Sequence, residues 1–135
     1  MLFMGGNYDK PSLWDLRSDN ADHFKRFDNF PHVQANSSEH DPEAVSDVSS
    51  VHWNQKGDRI VTSSSDCYAR VWKVEESGSQ SEEKQSMVAI KPFKFMLMQS
   101  KFNKGAGDLI ASGGHSPVVT VWNSENSKNV AAFNL

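Results

Sequence analysis

The chain has 135 residues, 37% of them hydrophobic and 23% charged, with a formal net charge of -3. That length suits one ordinary domain. The weak charge excludes broad electrostatic attraction to nucleic acid or to an acidic membrane, and no run of 18 apolar residues offers a transmembrane helix.

In chain order, Leu2-Phe3-Met4-Gly5-Gly6 is an apolar run that closes in small residues. With Met1 it is too short, and lacks the basic flank, for a signal peptide. A polar turn, Tyr8-Asp9-Lys10-Pro11, leads to Ser12-Leu13-Trp14, which is a β-hairpin signal. His23–Phe27 is a further candidate strand. Residues 31–47 form an acidic, polar loop, in which the sequon-like Asn36-Ser37-Ser38 is read as plain loop.

The pattern then returns more fully. Val48–Trp53 predicts a strand, Asn54–Asp58 a glycine turn, Ile60–Ser65 a strand, Asp66-Cys67 a tight turn and Ala69–Trp72 a strand. After a Ser/Glu-rich loop at 75–86, Met87–Ile90 predicts a fourth strand. The last unit repeats the order: Phe95–Phe102, a turn at Asn103–Asp108, Leu109–Gly114, a turn at His115-Ser116-Pro117, Val118–Trp122 and Val130–Phe133. Four short antiparallel strands per unit, repeated, is a propeller signature, and no segment carries a helical period over three turns.

The expected fold is therefore all-β, with about two and a half four-stranded antiparallel blades. Residues 1–30 are the C-terminal part of a first blade, 48–94 a second and 95–135 a third. Trp14, Trp72 and Trp122 stand 58 and 50 residues apart, longer than a blade of about 40–45 residues, and the two polar loops take up the excess. The consecutive apolar residues Met96-Leu97-Met98 and Val118-Val119 suit strands covered on both faces, with Met87, Met96 and Met98 as core filler. Propellers close with about four to eight blades. The expectation is a piece of a longer propeller whose remaining blades are its partners, marginally stable or aggregation-prone alone.

The middle unit, from Val51-His52-Trp53 through Ser63-Ser64-Ser65-Asp66-Cys67-Tyr68-Ala69-Arg70-Val71-Trp72, resembles the WD-repeat family. In that family an Asp six residues before the Trp joins a buried network with a Ser or Thr of the preceding strand and the indole. The resemblance assigns a structural role to Thr62, Asp66 and Trp72. In the third unit Ser116 stands at the Asp position, leaving Ser112 and Trp122 with fewer polar bonds. In the first, Asp9 lies one residue short before Trp14 and Pro11 follows it. The family dipeptide survives only as Trp14-Asp15.

No nucleophile–base pair, phosphate-cradling loop or metal motif stands out. Gly5-Gly6 and Gly113-Gly114 lack the helix and lysine that phosphate binding needs. The histidines (His23, His32, His40, His52 and His115) lack metal spacing. The lone Cys67 excludes an internal disulfide and fits a reducing compartment. No enzyme activity, metal or cofactor is expected.

Tyr8, Ser65 and His115 sit in the hairpin turns, where WD proteins present their partner-binding surface. Ser38 and Ser79 have an acidic residue three positions on, the spacing of acidophilic phosphorylation sites. The order of units and the long insertion before Val48 are similar to the transducin-beta-like family, subunits of nuclear corepressor complexes with histone deacetylases. That implies a non-catalytic protein-interaction scaffold within the cell and within the nucleus. Trp14-Asp15-Leu16-Arg17 matches a short motif of WD substrate receptors in cullin ubiquitin ligases, where the Arg reaches the adaptor. The alternative is such a receptor acting through Arg17. Neither reading involves a membrane or direct nucleic-acid binding.

Overall fold

The computed structural model describes residues 2–6, 9–15 and 25–29 as backbone strands, and residues 47–74, 88–90, 94 and 96–135 with their side chains. The described residues form three antiparallel sheets and no helix. The first sheet has β1 (Leu2–Gly6), β2 (Asp9–Asp15) and β3 (Lys25–Asn29), in that spatial order. The second runs β4 (Val48–Trp53), β5 (Arg59–Ser64), β6 (Ala69–Lys73), β7 (Val88–Ile90). The third runs β8 (Leu97–Phe102), β9 (Leu109–Gly114), β10 (Ser116–Asn123), β11 (Asn129–Asn134). β1 lies beside β4, and β8 beside both β4 and β5. The meanders therefore stack face to face about their inner strands, as blades of a partial propeller do.

Alternation along the strands decides which face is buried. Val61 and Val71 of the second blade meet Leu97, Phe102, Ile110 and Trp122 of the third in one core cluster. On the other face of the second blade, Ile60, Trp72 and Val74 form another, flanked by Val51 and Trp53. Full burial of an aliphatic side chain stabilises by about 1.5–3 kcal/mol, so each blade depends on its neighbour for much of its core.

The turns are built by asparagine. Asn54 Oδ1 accepts from the N–H groups of Gly57, Asp58 and Arg59 at 3.0, 3.2 and 3.1 Å. Its Nδ2 donates to Asp58 Oδ1 at 2.7 Å. Gly57, at φ 76°, takes the left-handed step. Asn103 repeats the device, accepting from Leu109 N at 3.2 Å and donating to Asp108 at 3.0 Å.

Three expectations are corrected. Pro11 and Pro117 lie inside β2 and β10, not in turns. Each falls where the pairing register shifts, between Gly6↔Asp9 and Met4↔Ser12 and between Ser116↔Gly114 and Thr120↔Ser112. An irregular stretch of ladder tolerates a residue with no N–H. β3 runs on to Asn29, two residues past the expected Phe27, with Asp28 opposite Leu13 and Asn29 opposite Ser12, while His23 and Phe24 lie outside the described residues. Finally, Met96 and Met98 are 41% and 46% exposed while Leu97 is fully buried. The run is covered on one face among the described residues, and these two methionines are not core filler. Met87, Phe95, most of the 31–47 loop and the whole 75–86 loop lie outside the described residues.

Candidate functional site

Among the described residues, the β5–β6 hairpin buries Thr62, Ser63, Ser64 and Arg70. Its register places Ile60 opposite Trp72 and Thr62 opposite Arg70. Trp72 Nε1 donates to Thr62 Oγ1 at 2.9 Å, with both side chains sealed from solvent. An indole N–H buried without an acceptor is costly, and a strand hydroxyl ten residues earlier supplies one.

At the tip, the Asp66 carboxylate accepts from Ser64 Oγ, from Tyr68 N at 3.0 Å and from Arg70 at 3.2 Å (Nη1) and 2.6 Å (Nη2). The Asp66 and Arg70 side chains are 4% and 9% exposed. The guanidinium also sits 5.0 Å from the Tyr68 ring centroid. Burial opposes ionisation of Asp66. The hydrogen bonds from Arg70 and Ser64, the Arg70 charge and the Tyr68 N–H outweigh it and hold the carboxyl below its ordinary range. Such a carboxylate has no proton to give and little basicity to offer, and its chemistry is that of a clamp on the turn.

The third blade holds its tryptophan in the same way. Trp122 Nε1 donates to Ser112 Oγ at 2.9 Å. The Ser112 hydroxyl is 2.7 Å from Ser100 Oγ, which accepts from Ser63 Oγ of the second blade at 2.7 Å. All three serines are fully buried. A relay of hydroxyls thus runs from one blade's indole to its neighbour's second strand. Ser116, at the position of Asp66, accepts from Val118 N at 3.2 Å, and Ser112 is tied through Ser100 into the blade beside it, a polar link not foreseen from the sequence.

The inter-blade seam is otherwise stitched by side chains of β4 and of the turn that follows it to the backbone of β8 and the turn after that. Ser49 Oγ donates to Leu97 O at 2.6 Å, and Ser50 Oγ accepts from Ser100 N at 3.2 Å. His52 Nδ1 accepts from Phe102 N at 3.3 Å, and Gln55 Oε1 from Gly105 N at 2.6 Å. At the turn end, Arg59 lies 3.5 Å from Glu125, a contact worth at most about 1 kcal/mol at the surface.

Of the residues expected to meet partners, His115 is exposed at the β9–β10 turn. Ser65 is tied down: its Oγ accepts from Asp47 N at 3.0 Å, and its own N–H donates to Asp47 O at 2.9 Å. Tyr8, Arg17, Ser38 and Ser79 lie outside the described residues. Asp9 and Trp14 are placed in β2, with their side chains outside the described part.

The sequence reading missed Ser64 and Arg70, although an acid and a base four residues apart across a two-strand turn were a usable signal. It also missed Ser63 and Ser100, whose contact depends on how two blades dock. Among the described residues, no group of three His, Cys, Asp or Glu side chains is arranged to hold a metal ion, and no helix is long and apolar enough to cross a membrane.

Comparison with known proteins agrees with this architecture. Residues 36–73 match the family model described as WD domain, G-beta repeat. No curated protein matches the sequence. A chain in a crystal structure of a mitotic checkpoint complex superposes with a TM-score of 0.70 at 15% identity, over 98% of this chain and 34% of that one. The chain thus spans about a third of the length of that structural neighbour. By fold these are β-propeller blades, and the second of them carries the sequence pattern of the WD repeat.

Proposed function

We propose that the chain serves in a non-catalytic protein-interaction scaffold, as a subunit of a nuclear transcriptional corepressor complex. The observation that carries the scaffold reading is the WD repeat match over a blade whose buried charges are consumed in holding a turn. The fold is shared with a chain of the multi-protein mitotic checkpoint complex. The corepressor assignment rests on the likeness of unit order and insertion to the transducin-beta-like family. Affinity purification of the tagged chain from nuclear and cytoplasmic extracts tests both parts. Histone deacetylase and corepressor subunits are expected in the nuclear fraction. Recovery of ribosome-assembly factors, or of no stable partner, counts against the corepressor role.

A second reading rests on the motif Trp14-Asp15-Leu16-Arg17, of which Trp14 and Asp15 lie in β2. In that reading Arg17 is a bidentate donor to an acidic cullin-ligase adaptor. Adaptor recovered with the wild-type chain and lost with Arg17→Ala supports that reading; no change removes its basis.

A further inference from the structure

We propose that the junction between the second and third blades is proton-sensitive: mild acid protonates His52, removes the acceptor from the Phe102 amide and loosens β8 from β4. Four β4-side groups stitch this seam: Ser49, Ser50, His52 and Gln55. The hydroxyls and the amide bond equally well at any physiological pH, and only the imidazole changes its role. Neutral His52 offers the Nδ1 lone pair to Phe102 N. Protonated, Nδ1 carries a hydrogen that faces another N–H, so the bond is replaced by a repulsion between donors.

Among the described residues, the strands beside β4 offer the cation no counter-charge. Those packed against β4 are β1, β5 and β8. They contribute Arg59 and Lys101 as their only charged residues, both positive, and no carboxylate. The nearest acids in sequence are Asp47, before β4, and Asp58, which is bonded to Asn54 in the turn. The ring is half-buried and lies with its centroid 6.4 Å from that of Phe102. Burial and the Lys101 charge both lower its pKa from the ordinary histidine value. A histidine whose pKa is depressed on folding contributes stability that is fully present above the unfolded value of about 6.5 and is lost as pH falls through the folded one.

The test is amide exchange resolved by residue on the 135-residue chain, between about pH 7.5 and pH 5, corrected for intrinsic rates. Protection of the Phe102 amide is expected to fall on the order of tenfold across this range, ahead of ladder amides such as Val61 and Ile110. His52→Asn places a pH-independent oxygen acceptor near the Nδ1 position and is expected to flatten the Phe102 profile. His115→Asn, at the exposed histidine, is expected to leave it unchanged. Equal loss in the wild type and His52→Asn, or no loss in the wild type, overturns the proposal. Should His52→Asn not fold, the wild-type imidazole titrated by NMR decides: a midpoint between about pH 5 and the unfolded value of about 6.5 supports the proposal, and one outside that range overturns it.

Discussion

The second and third blades fold alike but lock their turns by different chemistry. In the second, Ser64, Asp66 and Arg70 form a buried ion pair braced by a hydroxyl. Counted from the tryptophan, the third has Gly114, Ser116 and Thr120 at those places. All three have changed, not one. A Cβ at Gly114 would overlap the Met96 carbonyl oxygen, so the third blade draws its inner strand into space that Ser64 occupies in the second. Half of a buried ion pair is a liability, whereas complete replacement is often neutral. The lock is thus one optional solution for closing a blade's hairpin, while the indole–hydroxyl bond is common to both, at 2.9 Å in each.

The sharpest way to break the comparison is Arg70→Met, which strands the Asp66 carboxylate and is expected to cost about 3–5 kcal/mol, read from the urea unfolding midpoint. Grafting the third blade's set onto the second, as Ser64→Gly with Asp66→Ser and Arg70→Thr, is expected to recover most of that loss. A triple variant as unstable as Arg70→Met would mean that the pair drives folding of this blade. Acid distinguishes the two blades too. The folded pKa of Asp66 is depressed, so its contribution is full above the ordinary carboxylate value of about 3.9 and is lost as pH falls through the folded value. The triple variant should lose this part of the acid sensitivity.

The replacement was only partly legible in the sequence. Thr62 with Trp72 and Ser112 with Trp122 were named only through the WD-repeat resemblance; the structure shows that each indole N–H meets that hydroxyl. Val48–Trp53 was legible to the residue, since its β-branched and aromatic residues are bounded by the Asn54–Asp58 turn. Arg70 was not, because in Ala69-Arg70-Val71-Trp72 it reads as an outward strand residue, and the Asp66 carboxylate in the turn before it is what compensates its burial. Nor were the exposed Met96 and Met98, whose burial depends on what lies against that face. The prolines misled for a related reason: a turn and an irregular ladder both dispense with an N–H.

Gly114→Ala tests the other half of the comparison and is expected to destabilise by about 1–3 kcal/mol through overpacking against the Met96 carbonyl. Ser64→Ala removes a hydroxyl but leaves the backbone fit, so it should cost less. If Gly114→Ala were neutral, the close approach of β8 would not be what excludes a side chain there.

The hydroxyl relay sharpens the comparison at the seam. Ser100→Ala deprives Ser63 of its acceptor and Ser112 of one partner, while Trp122 keeps its own. The expected cost is about 1–2 kcal/mol, with amide protection lost between the blades before it is lost within them. In the second blade Val51 stands where Ser100 stands in the third, opposite Thr62 in place of Ser112. Ser100→Val therefore asks whether an apolar pair serves equally well once Ser63 is also made Ala.

The smallest effect concerns the tips themselves. The second hairpin turns through Ser64–Cys67, with Cys67 N donating to Ser64 O at 3.2 Å and Cys67 in the left-handed region at φ 72°. The third turns at His115 without a residue of positive φ. A side chain in the left-handed region costs roughly 1–2 kcal/mol, whereas glycine accepts it freely but gives up roughly 0.5–1 kcal/mol of chain entropy. Cys67 Sγ makes a weak 3.9 Å contact with Ser65 O. Cys67→Gly should therefore raise stability by about 0.5–1 kcal/mol, seen as a small increase in the urea midpoint with unchanged slope. The same substitution at His115 lacks that conformational strain to relieve and should be neutral or slightly destabilising. If both tips responded alike, the difference in turn geometry between the blades would have no energetic weight.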